Sequence, residues 1–222
     1  MLTVSFEGEL KAAEITAFRA AIIEKAGREN TLFHNHMGDH QFIYRYPAIQ
    51  YKVVDRHPTI QCIDYAVDEI HHFFENKDWT LMINGNTFPV LINRLNMFQF
   101  TMQVWDQMFQ YRIRNWIALN EKNYQIYKNL GSLIERTTML EKLLTGNILS
   151  MAKGIEWNVD KPIKVQISEM EAPRLVRIKD QQIMAFNLTF NSNVSLPDYI
   201  GLGKSVSIGY GMVARIFNNK NS

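Results

Sequence analysis

The sequence predicts an α+β protein whose first half follows the order β-α-β-β-α-β, the ferredoxin-like plan of an antiparallel sheet with two helices on one face. Three observations predict it. Apolar positions recur with period two from Thr3 to Glu9 and with helical spacing from Leu10 to Gly27. Aromatic and β-branched runs return over 42–55 and 58–64. A second helical pattern then starts behind Asp64 and gives way to the strand-like WTLMI at 79–83.

Each element has its local reason. Val4 and Phe6 alternate with small or polar neighbours, as in a half-buried strand, whereas Ile15, Phe18, Ile22 and Ala26 make a helical stripe that Gly27 stops. Residues 28–40 (RENTLFHNHMGDH) are polar and punctuated by Asn, Gly and Asp, which predicts a loop with room for one helical turn. Pro47 places a break or an edge inside the 42–55 run. Asp64 is a plausible N-cap for a helix carrying Val67, Ile70, His71 and Phe74 to about residue 76. The Asn84-Gly85 turn and a spacer to about Asn96 suggest a boundary, hence domains at 1–95 and 96–222.

The second half opens with two strand-like runs, 97–105 and 111–119, linked through Asp106. A helical stretch follows over 121–153, broken at Gly131, then strands near 162–170, 174–178, 182–191 and 206–217. No sequence repeat marks it as a copy of the first half.

Composition narrows the class. The 222 residues are 46% hydrophobic and 21% charged, too apolar for wholesale disorder. No apolar run approaches the roughly 18 residues of a membrane span, and MLTVSFEGEL does not open like a signal peptide, so a cytoplasmic protein with no membrane partner is expected. The lone Cys62 excludes cysteine metal clusters and intrachain disulfides. The net charge of +2 hides a division: residues 1–94 carry 9 Lys and Arg against 12 Asp and Glu, while 95–222 carry 15 against 10. The second half is therefore the better home for a polyanion. All six histidines fall between His34 and His72, so histidine chemistry belongs to that segment.

Two constellations carry chemistry. Gly201-Leu-Gly203-Lys204-Ser205-Val-Ser-Ile-Gly209-Tyr-Gly211-Met-Val places four of the chain's 11 glycines within a short span. It matches neither a Walker A loop, which needs glycine where Asp198 stands, nor G-x-G-x-x-G, which needs glycine at Val206. The residues alone leave open a phosphate-cradling loop with Lys204 adding charge, or a glycine hairpin of structural use. The second is Phe33-His34-Asn35-His36-Met-Gly-Asp39-His40. It fits general acid–base work, with a metal site on His34, His36 and His40 and a plain polar loop as alternatives. Phe42, Tyr44, Tyr46 and Tyr51, interleaved with Arg45 and Lys52, divide between core and base stacking.

The C-terminal IGLGKSVSIGYGMV and the segment LFHNHMGDHQFIYRYP behind the first helix resemble the CRISPR-associated repeat-RNA-processing endoribonucleases of the RAMP superfamily. The resemblance implies tandem ferredoxin-like domains and metal-independent cleavage of CRISPR repeat RNA, with no cofactor. The ribose 2′-hydroxyl would attack the adjoining phosphate to leave a 2′,3′-cyclic phosphate and a 5′-hydroxyl. The resemblance puts the catalytic histidine at His34, with His36 its competitor. Where the family often has a charge-stabilising lysine this chain has His40, which makes His40, Arg45 and Lys52 the candidates for that role. Arg19 falls near a tyrosine of some relatives and would contact phosphate. Gly201, Gly203, Lys204, Ser205, Gly209 and Gly211 would hold RNA, and Lys161, Lys164, Arg174, Arg177 and Lys179 are further candidates. A CRISPR effector complex and a second copy of the chain are the remaining partners to consider. The alternatives are a non-cleaving RNA-binding relative and a metal-dependent hydrolase built on the three histidines.

Overall fold

The computed structural model describes residues 1–27, 30–34, 36–37, 41–42, 46–75 and 80–217. It divides into two compact units: Met1–Phe100 together with Ser207–Gly209, and Thr101–Val206 with the chain from Tyr210 onward. Among the described residues no helix is long and apolar enough to cross a membrane.

In the first unit, β1 (Leu2–Phe6) buries Leu2, Val4 and Phe6 on one face. A 3-10 turn at Ala12–Glu14 leads into α1 (Ile15–Ala26), which ends at Gly27 with a φ of 92°. Then come α2 (Thr31–His34), the hairpin β2 (His36–Met37) and β3 (Gln41–Phe42), β4 (Ile49–Val54) and β5 (His57–Cys62). Two short helices, α3 (Ala66–Glu69) and α4 (His71–Phe74), precede β6 (Thr80–Ile83), β7 (Asn86–Pro89) and β8 (Ile92–Met97).

The main sheet runs β4-β5-β1-β8, antiparallel throughout, with Val4 opposite both Ile60 and Leu95. Phe6 lies edge-on to Phe18 of α1 (ring centroids 6.0 Å apart) and to Phe73 of α4 (6.2 Å), so both helical segments cover the same face. Burying each such ring contributes roughly 1.5–3 kcal/mol.

Two expectations are corrected here. The fourth strand of this sheet is β8, not 79–83: the Asn84-Gly85 turn, with φ of 51° and 80°, folds β6 onto β7 as a separate hairpin. Ile92–Met97 takes the place beside β1, so residues 95 and 96 lie inside one strand. The second helix is two single turns separated at Ile70, and Asp64, at a φ of 52°, stands outside them.

In the second unit, β9 (Val104–Trp116) is one strand of 13 residues where two were expected. The Asp106 region stays within it because a register shift between Ser192 and Val194 on the facing strand absorbs the irregularity. Next are α5 (Glu121–Asn129) and α6 (Leu133–Gly154). The break at Gly131 is enforced by Ser132: its Oγ accepts from the Glu135 N–H at 3.2 Å, and the Glu135 carboxylate accepts from the Ser132 N–H at 3.0 Å. Strands β10 (Val165–Met170), β11 (Arg174–Ile178), β12 (Gln181–Val194) and β13 (Met212–Arg215) complete the unit.

The sheet order β10-β12-β9-β13 repeats the strand order of the first unit, with β11 added against β12. Leu140, Leu144, Ile148 and Met151 of α6 are buried, and Asn147 accepts from the Trp116 indole at 2.9 Å. Where the plan calls for a second helix, the stretch from β12 to β13 has only a 3-10 turn at Val206–Ile208. The expected strand over 206–217 thus shortens to Met212–Arg215.

Candidate nucleic-acid processing site

A helix of four residues lacks the internal hydrogen bonds to hold itself, so α2 depends on what surrounds it. The Asn30 N–H donates to the Gly27 carbonyl at 3.1 Å, and its side-chain amide donates to the Ala26 carbonyl. Phe33 is buried, and its N–H donates to the Asn30 carbonyl at 3.1 Å. The Phe33 carbonyl in turn accepts from the Tyr51 phenol at 3.1 Å, in a buried setting. The peptide that leads into His34 is thereby tied to β4.

His34 is the last residue of α2, and His36 opens β2 opposite Phe42. The rings of these two histidines, and the whole of His40 and Arg45, lie outside the described residues. Among the described residues no group of three His, Cys, Asp or Glu could hold a metal ion.

Tyr51 gathers the site's other parts. Its ring packs edge-on to Phe18 at 6.2 Å, and the Arg19 guanidinium stands 6.0 Å from its centroid. Burial lowers the pKa of Arg19 below the ordinary arginine value, opposed by the Tyr51 phenol, and burial raises that of Tyr51. The Ser207–Gly209 turn belongs to this unit, with Ile208 against its core. A Cβ on Gly209, whose φ is 82°, would stand 3.3 Å from the Tyr51 carbonyl oxygen. Tyr51 was legible in the sequence as an aromatic divided between core and stacking; its hydrogen bond to Phe33 was not.

The expectation for Lys52 is corrected. It is fully buried, donates to the Gln61 side chain, and has its pKa lowered well below the ordinary lysine value by burial. It presents no ammonium on the surface for a phosphate. The cause is that β4 buries Gln50 and Lys52 as well as Ile49 and Tyr51, so both its faces are covered.

The rest of the glycine loop lies in the second unit and is packed tightly. Gly201 bridges to Met212. A Cβ on Gly203 (φ 94°) would fall 2.7 Å from the Trp116 indole nitrogen, and one on Gly211 (φ 67°) 1.9 Å from the Leu202 carbonyl oxygen. The N–H groups of Leu202, Lys204, Tyr210 and Gly211 donate to Gly211, Ile117, Ser205 and Asn115 respectively, at 2.9, 3.1, 3.4 and 3.2 Å. The N–H groups of these four residues are therefore spent inside the protein, and Gly203 and Gly211 permit close approach of backbone. The Lys204 side chain is exposed, and Ser205 holds a φ of 57°.

Lys161, Lys164, Arg174, Arg177 and Lys179 are exposed. Arg177 pairs with Asp180 at 3.6 Å, and Arg174 donates to the Asn115 side chain. Arg112 and Arg114 are also exposed, on β9 opposite Ala214 and Met212. Their alternation with buried Tyr111 and Ile113 is visible in YRIRN, but as a strand pattern it does not mark a binding face.

The fold therefore defines a class of two ferredoxin-like units in series, the second with a glycine-rich turn in place of its last helix. Comparison resolves the family. The Cas6b N-terminal domain profile matches residues 1–101 and the Cas6b C-terminal domain profile residues 103–216. The chain belongs to the Cas6b family of CRISPR RNA-processing endoribonucleases. A crystal structure of Cas6b is similar with a TM-score of 0.88 at 30% identity, covering 97% of this chain and 98% of that one. A second, of the CRISPR RNA processing endoribonuclease Cas6b, gives 0.72 at 26% identity, with 97% of each covered. The uncharacterized protein MJ0978 of Methanocaldococcus jannaschii is 40% identical over 114 residues, 51% of this chain and 76% of that protein.

Proposed function

We propose that this chain cuts CRISPR precursor RNA within its repeats without a metal ion. The observation that carries the reading is membership of the Cas6b family over both halves of the chain. The histidine-bearing turn tied to the first unit's sheet supports the site assignment.

The nucleophile is the ribose 2′-hydroxyl, which is already part of the substrate. Its proton passes to the neutral imidazole of His34 as the 2′-oxygen bonds to phosphorus. The bond from phosphorus to the 5′-oxygen breaks, and that oxygen takes a proton from the imidazolium of His36. The products are a 2′,3′-cyclic phosphate and a 5′-hydroxyl. The step needs a base, an acid and positive charge near the phosphate, all of which side chains supply. Arg19, His40 and Arg45 are the proposed sources of that charge.

The exposed Lys204 and the basic residues of the second half would follow the RNA backbone. Transfer of the cut RNA to a CRISPR effector complex follows from the role. Cytoplasmic action fits a chain whose single Cys62 is a buried free thiol, its pKa pushed up to about 12 by burial.

The test is incubation of the pure protein with its cognate repeat RNA in EDTA, which should give one cut per repeat. His34→Ala should lower the rate by roughly 10²–10⁴ while RNA binding persists. Full cutting by His34→Ala, with loss in His36→Ala instead, would remove His34 from the mechanism and make His36 the catalytic histidine. Binding without cutting by the wild type would make the chain a non-cleaving relative, and a cut that needs added metal would favour the hydrolase reading.

A further inference from the structure

We propose that Tyr51 is a positioning residue for the cleavage reaction, acting through its phenol on the backbone that carries His34. The proposal rests on His34 being the catalytic histidine. Among the described residues, the fastenings of α2 include the Asn30 side chain on the Ala26 carbonyl, the buried Phe33 ring, and the Tyr51 O–H on the Phe33 carbonyl at 3.1 Å. The Asn30 side chain acts at the start of α2 and Phe33 through its ring. The Tyr51 hydroxyl acts on the peptide group that joins Phe33 to His34, at the end of a helix whose last carbonyls have no partner within it.

Tyr51 suits this task because it is packed on several sides. It is fully buried in β4, paired opposite Ile60, and packed edge-on to Phe18. Its phenol stays protonated, since burial raises its pKa, so it remains a donor across the working pH range. Within the same unit the Ser207–Gly209 turn lies against its carbonyl, so a displacement of β4 here would disturb that turn as well as the histidine turn. A misplacement of about 1 Å at a reacting group can cost roughly a hundredfold in rate, which makes one hydrogen bond at this position consequential.

Tyr51→Phe removes the hydroxyl and keeps the ring. Single-turnover cleavage of the repeat RNA at saturating protein should slow by roughly 10–100-fold, with the Kd for RNA within about twofold of wild type and the shape of the pH–rate profile unchanged. Ile83→Val serves as a control for weakened packing in the β6–β7 hairpin of the same unit, and should keep the wild-type rate despite a comparable fall in Tm. His34→Ala is measured alongside.

A wild-type rate in Tyr51→Phe overturns the proposal while leaving the catalytic role of His34 standing. A parallel loss of RNA affinity, or equal slowing in Ile83→Val, shows a merely structural role and also overturns it. Wild-type cutting by His34→Ala overturns the proposal together with the assignment on which it rests.

Discussion

Lys52 shows how a residue can be read wrongly for place. In QYKVV it alternates like a surface lysine, but β4 is covered on both faces, a property of the tertiary fold that alternation does not record. The burial has a pH signature. The unfolded chain binds a proton at this lysine up to the ordinary lysine pKa, whereas the folded protein gives that proton up at lower pH. Between those two values the unfolded state binds more protons, so stability rises with pH, by up to about 1.4 kcal/mol per pH unit. Lys52→Met should flatten the rise, and denaturant titrations from about pH 7 to 10 on both proteins measure it. Gly211 was legible as part of a glycine motif, yet its reason is the 1.9 Å approach of a Cβ to the Leu202 carbonyl at a φ of 67°. Gly211→Ala should cost roughly 2–5 kcal/mol, seen as a lowered Tm.

At the scale of elements, local signals were reliable where one chemistry decided the outcome. Gly27 ended α1, and Gly131-Ser132 divided α5 from α6. Ser132→Ala removes the cap and should lower Tm by about 2–8 °C, with a thermal melt as the check. The signals failed where partners compete. Thr80–Ile83 has a good strand sequence, but the adjacent Asn-Gly turn pairs it locally, and β8 takes the sheet position although all six of its residues are exposed. Exposed Leu95 and Met97 hide that strand from any pattern that expects a buried face. In the second unit, one long strand looked like two because its exposed stretch from Trp105 to Met108 interrupts the apolar pattern. The missing second helix of that unit was not legible, since the glycine motif that replaces it resembles a strand.

For the whole molecule, charge is divided between a net −3 half with every histidine and a net +5 half with exposed Lys204, Arg112, Arg114 and Arg174. If the second half holds most of the RNA backbone, Arg112→Ala with Arg114→Ala should weaken RNA binding. The slope of log K against log salt should also become shallower by about one for each phosphate no longer neutralised, as filter binding at several salt concentrations would show. The candidate site was only partly legible: the histidines of HNHMGDH stand out in the sequence, whereas the Tyr51 tether and the membership of Gly209 in the first unit arise between residues distant in sequence. The central claim is that the substrate's own 2′-hydroxyl is the nucleophile. Its most direct measurement is cleavage in EDTA of cognate repeat RNA carrying one 2′-deoxy substitution beside the scissile phosphate. The substituted RNA should be bound and left intact while the all-ribose RNA is cut; cutting of both at the same bond would rule out attack by the 2′-hydroxyl.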